Sequence, residues 1–194
     1  MIKINKQYIS VLAIAACSLT ACNQGLVPVR KDAIKPAVVT QPTPHDTDDP
    51  AVWINPENPS QSLIVGTDKD SDGALFLYDL NGKIVRKTGQ LQRPNNVDIA
   101  YGLQIDGQSY DVALTTERET NRLRIFSLPD LKALDNGGIE LFVDEAERSP
   151  MGVAIYTRPS DHAIFAIVGR KSGPENNYLW QYQISDSGQG YATG

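Results

Sequence analysis

The sequence predicts an all-β chain, on three observations. No helical period runs through any long window, short β-forming runs alternate with turn residues, and those runs recur in the same order three times. Asn81-Gly82, between Leu75–Leu80 and Lys83–Arg86, is the strongest hairpin signal. Asp72-Gly73 and Gly137-Gly138 mark further turns.

The first element is Pro50–Ile54, repeated as Asn96–Tyr101 and Met151–Tyr156. The second is Ser62–Thr67, then Tyr110–Thr116, then Ala163–Gly169. The third is Ala74–Leu80, then Arg122–Leu128, then Tyr178–Ile184, and a fourth follows at Lys83–Lys87 and Gly138–Val143. A period of roughly 45–55 residues with four strands per unit is the pattern of β-propeller blades. A parallel sheet is disfavoured because no crossover helices lie between the strands. A sandwich of evenly spaced strands is the alternative. Blades are preferred because the units match by residue as well as by spacing: second strands end in Thr67-Asp68-Lys69, Thr116-Glu117-Arg118 and Gly169-Arg170-Lys171. The sequence ends after the third strand of the third unit, so about three blades are expected, a partial propeller.

The N-terminus has the layout of an export signal. Lys3 and Lys6 precede the apolar run Tyr8–Leu19, which is too short for a permanent span. Leu19-Thr20-Ala21-Cys22 resembles the lipobox of bacterial lipoproteins, which implies a lipid on Cys22 and anchoring to a bacterial membrane on its periplasmic or cell-surface side. The alternative is an ordinary signal cut after Ala21. Residues 1–21 are thus read as signal, 22–44 as a Pro-containing tether, and 45–194 as one domain. Both cysteines, Cys17 and Cys22, lie outside that domain, which therefore has no disulfide or thiolate site. Removing residues 1–21 takes away two lysines and no acid, moving the formal charge from −5 to −7. So acidic a chain argues against nucleic acid as partner.

Asp46-Thr47-Asp48-Asp49-Pro50 crowds three carboxylates at the mouth of a strand. Proline, which cannot donate to a ladder, suits the first position of that strand. Crowded carboxylates repel unless a cation or hydrogen bonds offset the charge, and hard oxygen donors suit Ca²⁺. The alternative is a solvated Asp-rich turn. Lys69, Arg118 and the pair Arg170-Lys171 fall in equivalent hairpins, which a propeller gathers on one face. Read singly, each is an ordinary solvated charge. Recurrence in three units points to a polyanion site, since both residue types suit phosphate.

With these motifs the chain resembles the β-propeller phytases, calcium-dependent phosphatases acting on myo-inositol hexakisphosphate. The resemblance rests on Asp48-Asp49-Pro50-Ala51-Val52-Trp53, Gly66-Thr67-Asp68-Lys69, Ala74–Lys83, Asn95-Asn96-Val97-Asp98-Ile99 and Val168-Gly169-Arg170-Lys171-Ser172-Gly173. It implies a six-bladed propeller with calcium at its central face. It implies a structural calcium on Asp49 and the carbonyls of Pro50 and Val97, and Asp48 facing a catalytic calcium cluster. It places Lys69, Arg118 and Arg170, with neighbouring Lys171, on substrate phosphate, Lys69 and Arg118 also serving catalysis. His45 stands where some relatives carry an acid, and Asp70 follows Lys69 where some carry a second lysine. Six blades need about 300 residues. The expectation is a fragment of a longer chain, or an incomplete domain completed by a second copy or partner.

The reaction implied is phosphomonoester hydrolysis by a metal-activated water, with no covalent nucleophile. Non-catalytic binding of inositol phosphates or calcium, and a different propeller hydrolase, are the alternatives. His162 reads as a solvated turn residue, and His45 as either a site residue or a spacer.

Overall fold

The computed structural model describes residues 28–173 and 175–194. The predicted signal and Cys22 lie outside these. Residues 28–37 belong to a first unit with no regular strand among them, and Arg30 pairs there with Asp32 at 2.7 Å. Among the described residues no helix is long and apolar enough to cross a membrane.

The second unit, Val38–Gly194, holds three four-stranded antiparallel sheets. Blade 1 is β1 (Thr47–Trp53), β2 (Leu63–Asp68), β3 (Ala74–Tyr78) and β4 (Ile84–Lys87). Blade 2 is β5 (Pro94–Ile105), β6 (Gln108–Glu117), β7 (Arg122–Leu128) and β8 (Ile139–Glu140). Blade 3 is β9 (Pro150–Thr157), β10 (Ile164–Arg170), β11 (Leu179–Asp186) and β12 (Ala192–Thr193). Strands follow in chain order within each sheet, as the repeat predicts.

The core lies between blades. Side chains alternate across a strand, so a sheet covered on both faces must be apolar at successive positions. In β6, Val112 and Leu114 enter the cluster shared with blade 3, while Ala113 enters the cluster shared with blade 1. In β7, Leu123 and Ile125 face blade 3, and Phe126 and Leu128 face blade 1. This accounts for the successive apolar residues Val112-Ala113-Leu114 and Ile125-Phe126.

The β3–β4 hairpin closes as Asn81-Gly82 predicts. Gly82 adopts φ +79°, its N–H donates to the Asp79 carbonyl at 2.9 Å, and a Cβ there would meet the Val39 carbonyl oxygen at 2.8 Å. The Gln41 N–H also donates to the Gly82 carbonyl at 2.8 Å, so the last residues of the segment read as tether already lie on blade 1.

Three departures from the sequence reading stand out, the first being β5, which runs Pro94–Ile105 rather than Asn96–Tyr101. The run 138–143 pairs only at Ile139–Glu140, because Leu141 and Phe142 leave the ladder and bury completely in the core between blades 2 and 3. Blade 3 also has a fourth strand beyond the three its sequence predicts: a turn with Gly188 and Gly190 at φ +73° and +81° returns Ala192–Thr193 to β11.

Candidate active site

Each innermost strand carries the same irregularity at its mouth. In blade 1, Thr47 faces Asp68 and Pro50 faces Gly66, leaving Asp48 and Asp49 opposite Thr67 alone. In blade 2, Pro94 faces Glu117 and Val97 faces Thr115, leaving Asn95 and Asn96 opposite Thr116. In blade 3, Pro150 faces Arg170 and Val153 faces Val168, leaving Met151 and Gly152 opposite Gly169. Two residues against one is a β-bulge, which re-aims side chains next to functional sites. The Asp-Asp and Asn-Asn motifs are the bulges of blades 1 and 2.

This register corrects the alignment of the cations. One residue past each second strand, the N–H of Lys69, Arg118 and Lys171 donates to the carbonyl of Asp46, Arg93 and Ser149, at 2.8, 3.1 and 2.9 Å. Lys171, not Arg170, is therefore the equivalent of Lys69 and Arg118. Arg170 takes the place of Asp68 and Glu117, all three being buried. Its side chain is 0% exposed, with Nη1 2.7 Å from Glu145 Oε2, Nη2 donating to the Asn177 carbonyl at 2.6 Å, and its guanidinium 5.2 Å from the Phe142 ring centre. It braces two loops, while Lys171 is exposed beside it.

At the first bulge, Lys69 Nζ lies 2.6 Å from Asp48 Oδ1 and 3.2 Å from Asp46 Oδ2. The bond to Asp48, more than any other influence, raises the Lys69 pKa above its ordinary value. Asp49 turns the other way, its Oδ2 accepting the Val97 N–H of the next blade at 2.9 Å. The structure thus brings Asp49 and Val97 together. Asp98 repeats the device one blade on, accepting the Ile155 N–H at 2.7 Å.

Arg118 is half-buried, with Nη2 3.4 Å from Met151 Sδ and Nε buried without a hydrogen-bond partner. Burial, then the neighbouring Arg93 charge, pushes its pKa down, while Asp48 and Glu119 pull it up. Asn95 Oδ1 and Thr115 Oγ1, on facing strands of blade 2, are likewise buried without partners.

His45, left open between two roles, fastens the approach to β1. Its N–H and Nδ1 meet the Asp68 carboxylate at 3.1 and 2.9 Å, and its Nε2 lies 3.3 Å from Asp72 Oδ1. His45, Asp70 and Asp72 converge ligand atoms within 4.8 Å of one another. His162 sits at φ +59° in a turn, outside this cluster.

Sequence reasoning missed Arg93, Asp98 and the Asp70–Asp72 pair. Only the last had a local signal, the acid-rich turn Asp68-Lys69-Asp70-Ser71-Asp72.

Fold and site together define a bladed all-β protein whose innermost strands are bulged at equivalent ends, with acids in the first bulge and a cation following each second strand. The family model described as Phytase matches residues 4–194, and the chain belongs to the Phytase family. It is similar to 3-phytase of Bacillus subtilis (strain 168), with 29% identity over 153 residues, covering 76% of this chain and 38% of that protein. The chain thus spans about two fifths of the length of this curated relative.

Proposed function

We propose that this chain carries part of a calcium-dependent site hydrolysing phosphomonoesters of myo-inositol hexakisphosphate. One observation carries the reading: Asp48 is re-aimed by the bulge onto Lys69, with Arg118 within electrostatic reach. Family membership supports it.

The donor set suits a hard cation. Asp48, Asp49 and the carbonyls of Pro50 and Val97 would hold calcium, and the unpartnered Asn95 amide oxygen is a further hard donor. The Lys69 ammonium at 2.6 Å already neutralises Asp48 as a cation would. Bound calcium supplies Lewis-acid polarisation of a phosphoryl oxygen and a more acidic water.

The chain's own cations bind and orient the substrate. Arg118 offers paired donors, and Lys69 and Lys171 offer point charges. A phosphate that draws Lys69 toward itself frees the Asp48 carboxylate, so substrate and calcium occupancy are coupled. Arg170 acts through the Lys171 hairpin rather than on substrate. The domain from His45 on contains no cysteine, in keeping with direct attack by water. The lipobox-like segment supports anchoring through Cys22 to a bacterial membrane, which membrane fractionation of a Cys22→Ala variant tests.

The test is phosphate release from phytate by the full chain, with calcium and then with chelator. Asp48→Ala should lower calcium-dependent release on the order of a hundredfold, with the melting temperature little changed. An unaltered rate removes Asp48 from the site. Phytate binding without release would support the non-catalytic alternative.

A further inference from the structure

Blades 1 and 2 are built alike at their mouths but carry opposite charge at one position. Asp46 and Arg93 hold the same place, each lending its carbonyl to the N–H of the cation one residue past the second strand. In blade 1 the side chains across that contact attract: Asp46 Oδ2 is 3.2 Å from Lys69 Nζ. In blade 2 both are guanidinium groups, and like charges across neighbouring strands are unfavourable.

Arg93 is held where it stands. It adopts φ +61°, a left-handed conformation uncommon for arginine. Its N–H donates to the Asp70 carbonyl at 2.8 Å, and its carbonyl accepts from Arg118 N and from Asn95 Nδ2, at 3.1 and 3.2 Å. Among the described residues its guanidinium has no hydrogen-bond or ion-pair partner, and Arg118 has only the Met151 sulfur. Neither guanidinium has an ion-pair partner among the described residues, the Asp48 and Glu119 charges only influence Arg118 from nearby, and the buried Arg118 Nε is unpartnered.

We infer that Arg93 and Arg118 form a two-arginine clamp for one phosphate group of the substrate, beside the Asp48–Lys69 pair. The clamp rests on the reading that this chain binds inositol phosphates. A phosphate dianion removes the repulsion, and two planar forks match its oxygens. The depressed pKa of Arg118 agrees with a cation awaiting a counter-charge.

Arg93→Asp tests it, because it replaces the like charge beside Arg118 with an opposite one. The full chain is titrated with inositol hexakisphosphate in chelator, and its melting temperature is taken without ligand. The variant should melt at or above the wild-type temperature yet lose affinity on the order of tenfold to a hundredfold. Arg93→Gln should lose affinity to a similar degree, and carries the test if the aspartate variant misfolds. A variant that melts lower and binds equally well makes Arg93 structural and overturns the clamp. Loss of binding in Arg118→Gln but not in Arg93→Asp also overturns it, leaving the phosphate reading intact. Wild-type protein that binds no inositol hexakisphosphate in chelator overturns the clamp. Wild-type protein that binds through both arginines but releases no phosphate overturns the hydrolytic reading alone.

Discussion

Arg170 is where sequence motif and structural register part most sharply, and Arg170→Met separates them. Methionine fills much of the same apolar volume against Phe142 but carries no charge. The substitution removes the 2.7 Å pair with Glu145 and the 2.6 Å bond to the Asn177 carbonyl. Charge-assisted bonds of this kind contribute about 1.5–3 kcal/mol each. Glu145 is 30% exposed and recovers hydration, and the retained packing offsets more, so the net loss comes to roughly 2–4 kcal/mol. For a domain of this size that lowers the melting temperature by roughly 5–15 °C. Calorimetry or near-ultraviolet dichroism reads the shift, and isothermal titration with inositol hexakisphosphate reads binding below the transition. Lys171→Met provides the contrast: little change in melting, weaker binding. An Arg170→Met protein that melts normally but fails to bind would place this side chain on the ligand and refute the register of the third bulge.

Asp98→Ala removes the acceptor for the Ile155 N–H and should cost about 1–3 kcal/mol; hydrogen exchange at the Ile155 amide should quicken more than at blade 1 amides, and equal exchange would deny the bridge between blades 2 and 3. The bond to Asp68, followed by the nearby Asp72 and Asp70 charges, holds the His45 pKa above its ordinary 6.5. Its stabilising contribution is complete below pH 6.5 and is lost as pH rises through the higher folded-state value. His45→Gln should therefore flatten the melting-temperature profile on the alkaline side of 6.5, and a profile unchanged there would remove His45 from the account.

Much of the fold was legible because turn chemistry and apolar runs repeat in order, and a hairpin such as Asn81-Gly82 needs only local information. What escaped depends on partners distant in sequence. Arg170 and Lys171 are adjacent, and a ladder sends successive side chains to opposite faces, so only the pairing of Arg170 with Pro150 decides which one is buried. Leu141-Phe142-Val143 reads as strand because burial inside a core and burial in a sheet look alike in an apolar run. β12 is two residues long and carries no pattern at all. The family resemblance groups Asp49 with Val97, whose N–H donates to the Asp49 carboxylate, whereas Arg93 means nothing until Arg118, 25 residues later, is placed against it.

The buried positions Asp68, Glu117 and Arg170 do one mechanical job with three chemistries. Each moors the segment entering its innermost strand: Asp68 to His45, Glu117 to the Gln92 N–H at 2.6 Å, and Arg170 to the Glu147 carbonyl at 3.4 Å. Of an imidazole, a backbone amide and a guanidinium only the imidazole loses its proton in mild alkali, so rising pH slackens the first mooring while the other two hold. A rise in pH therefore does not loosen all three entries together.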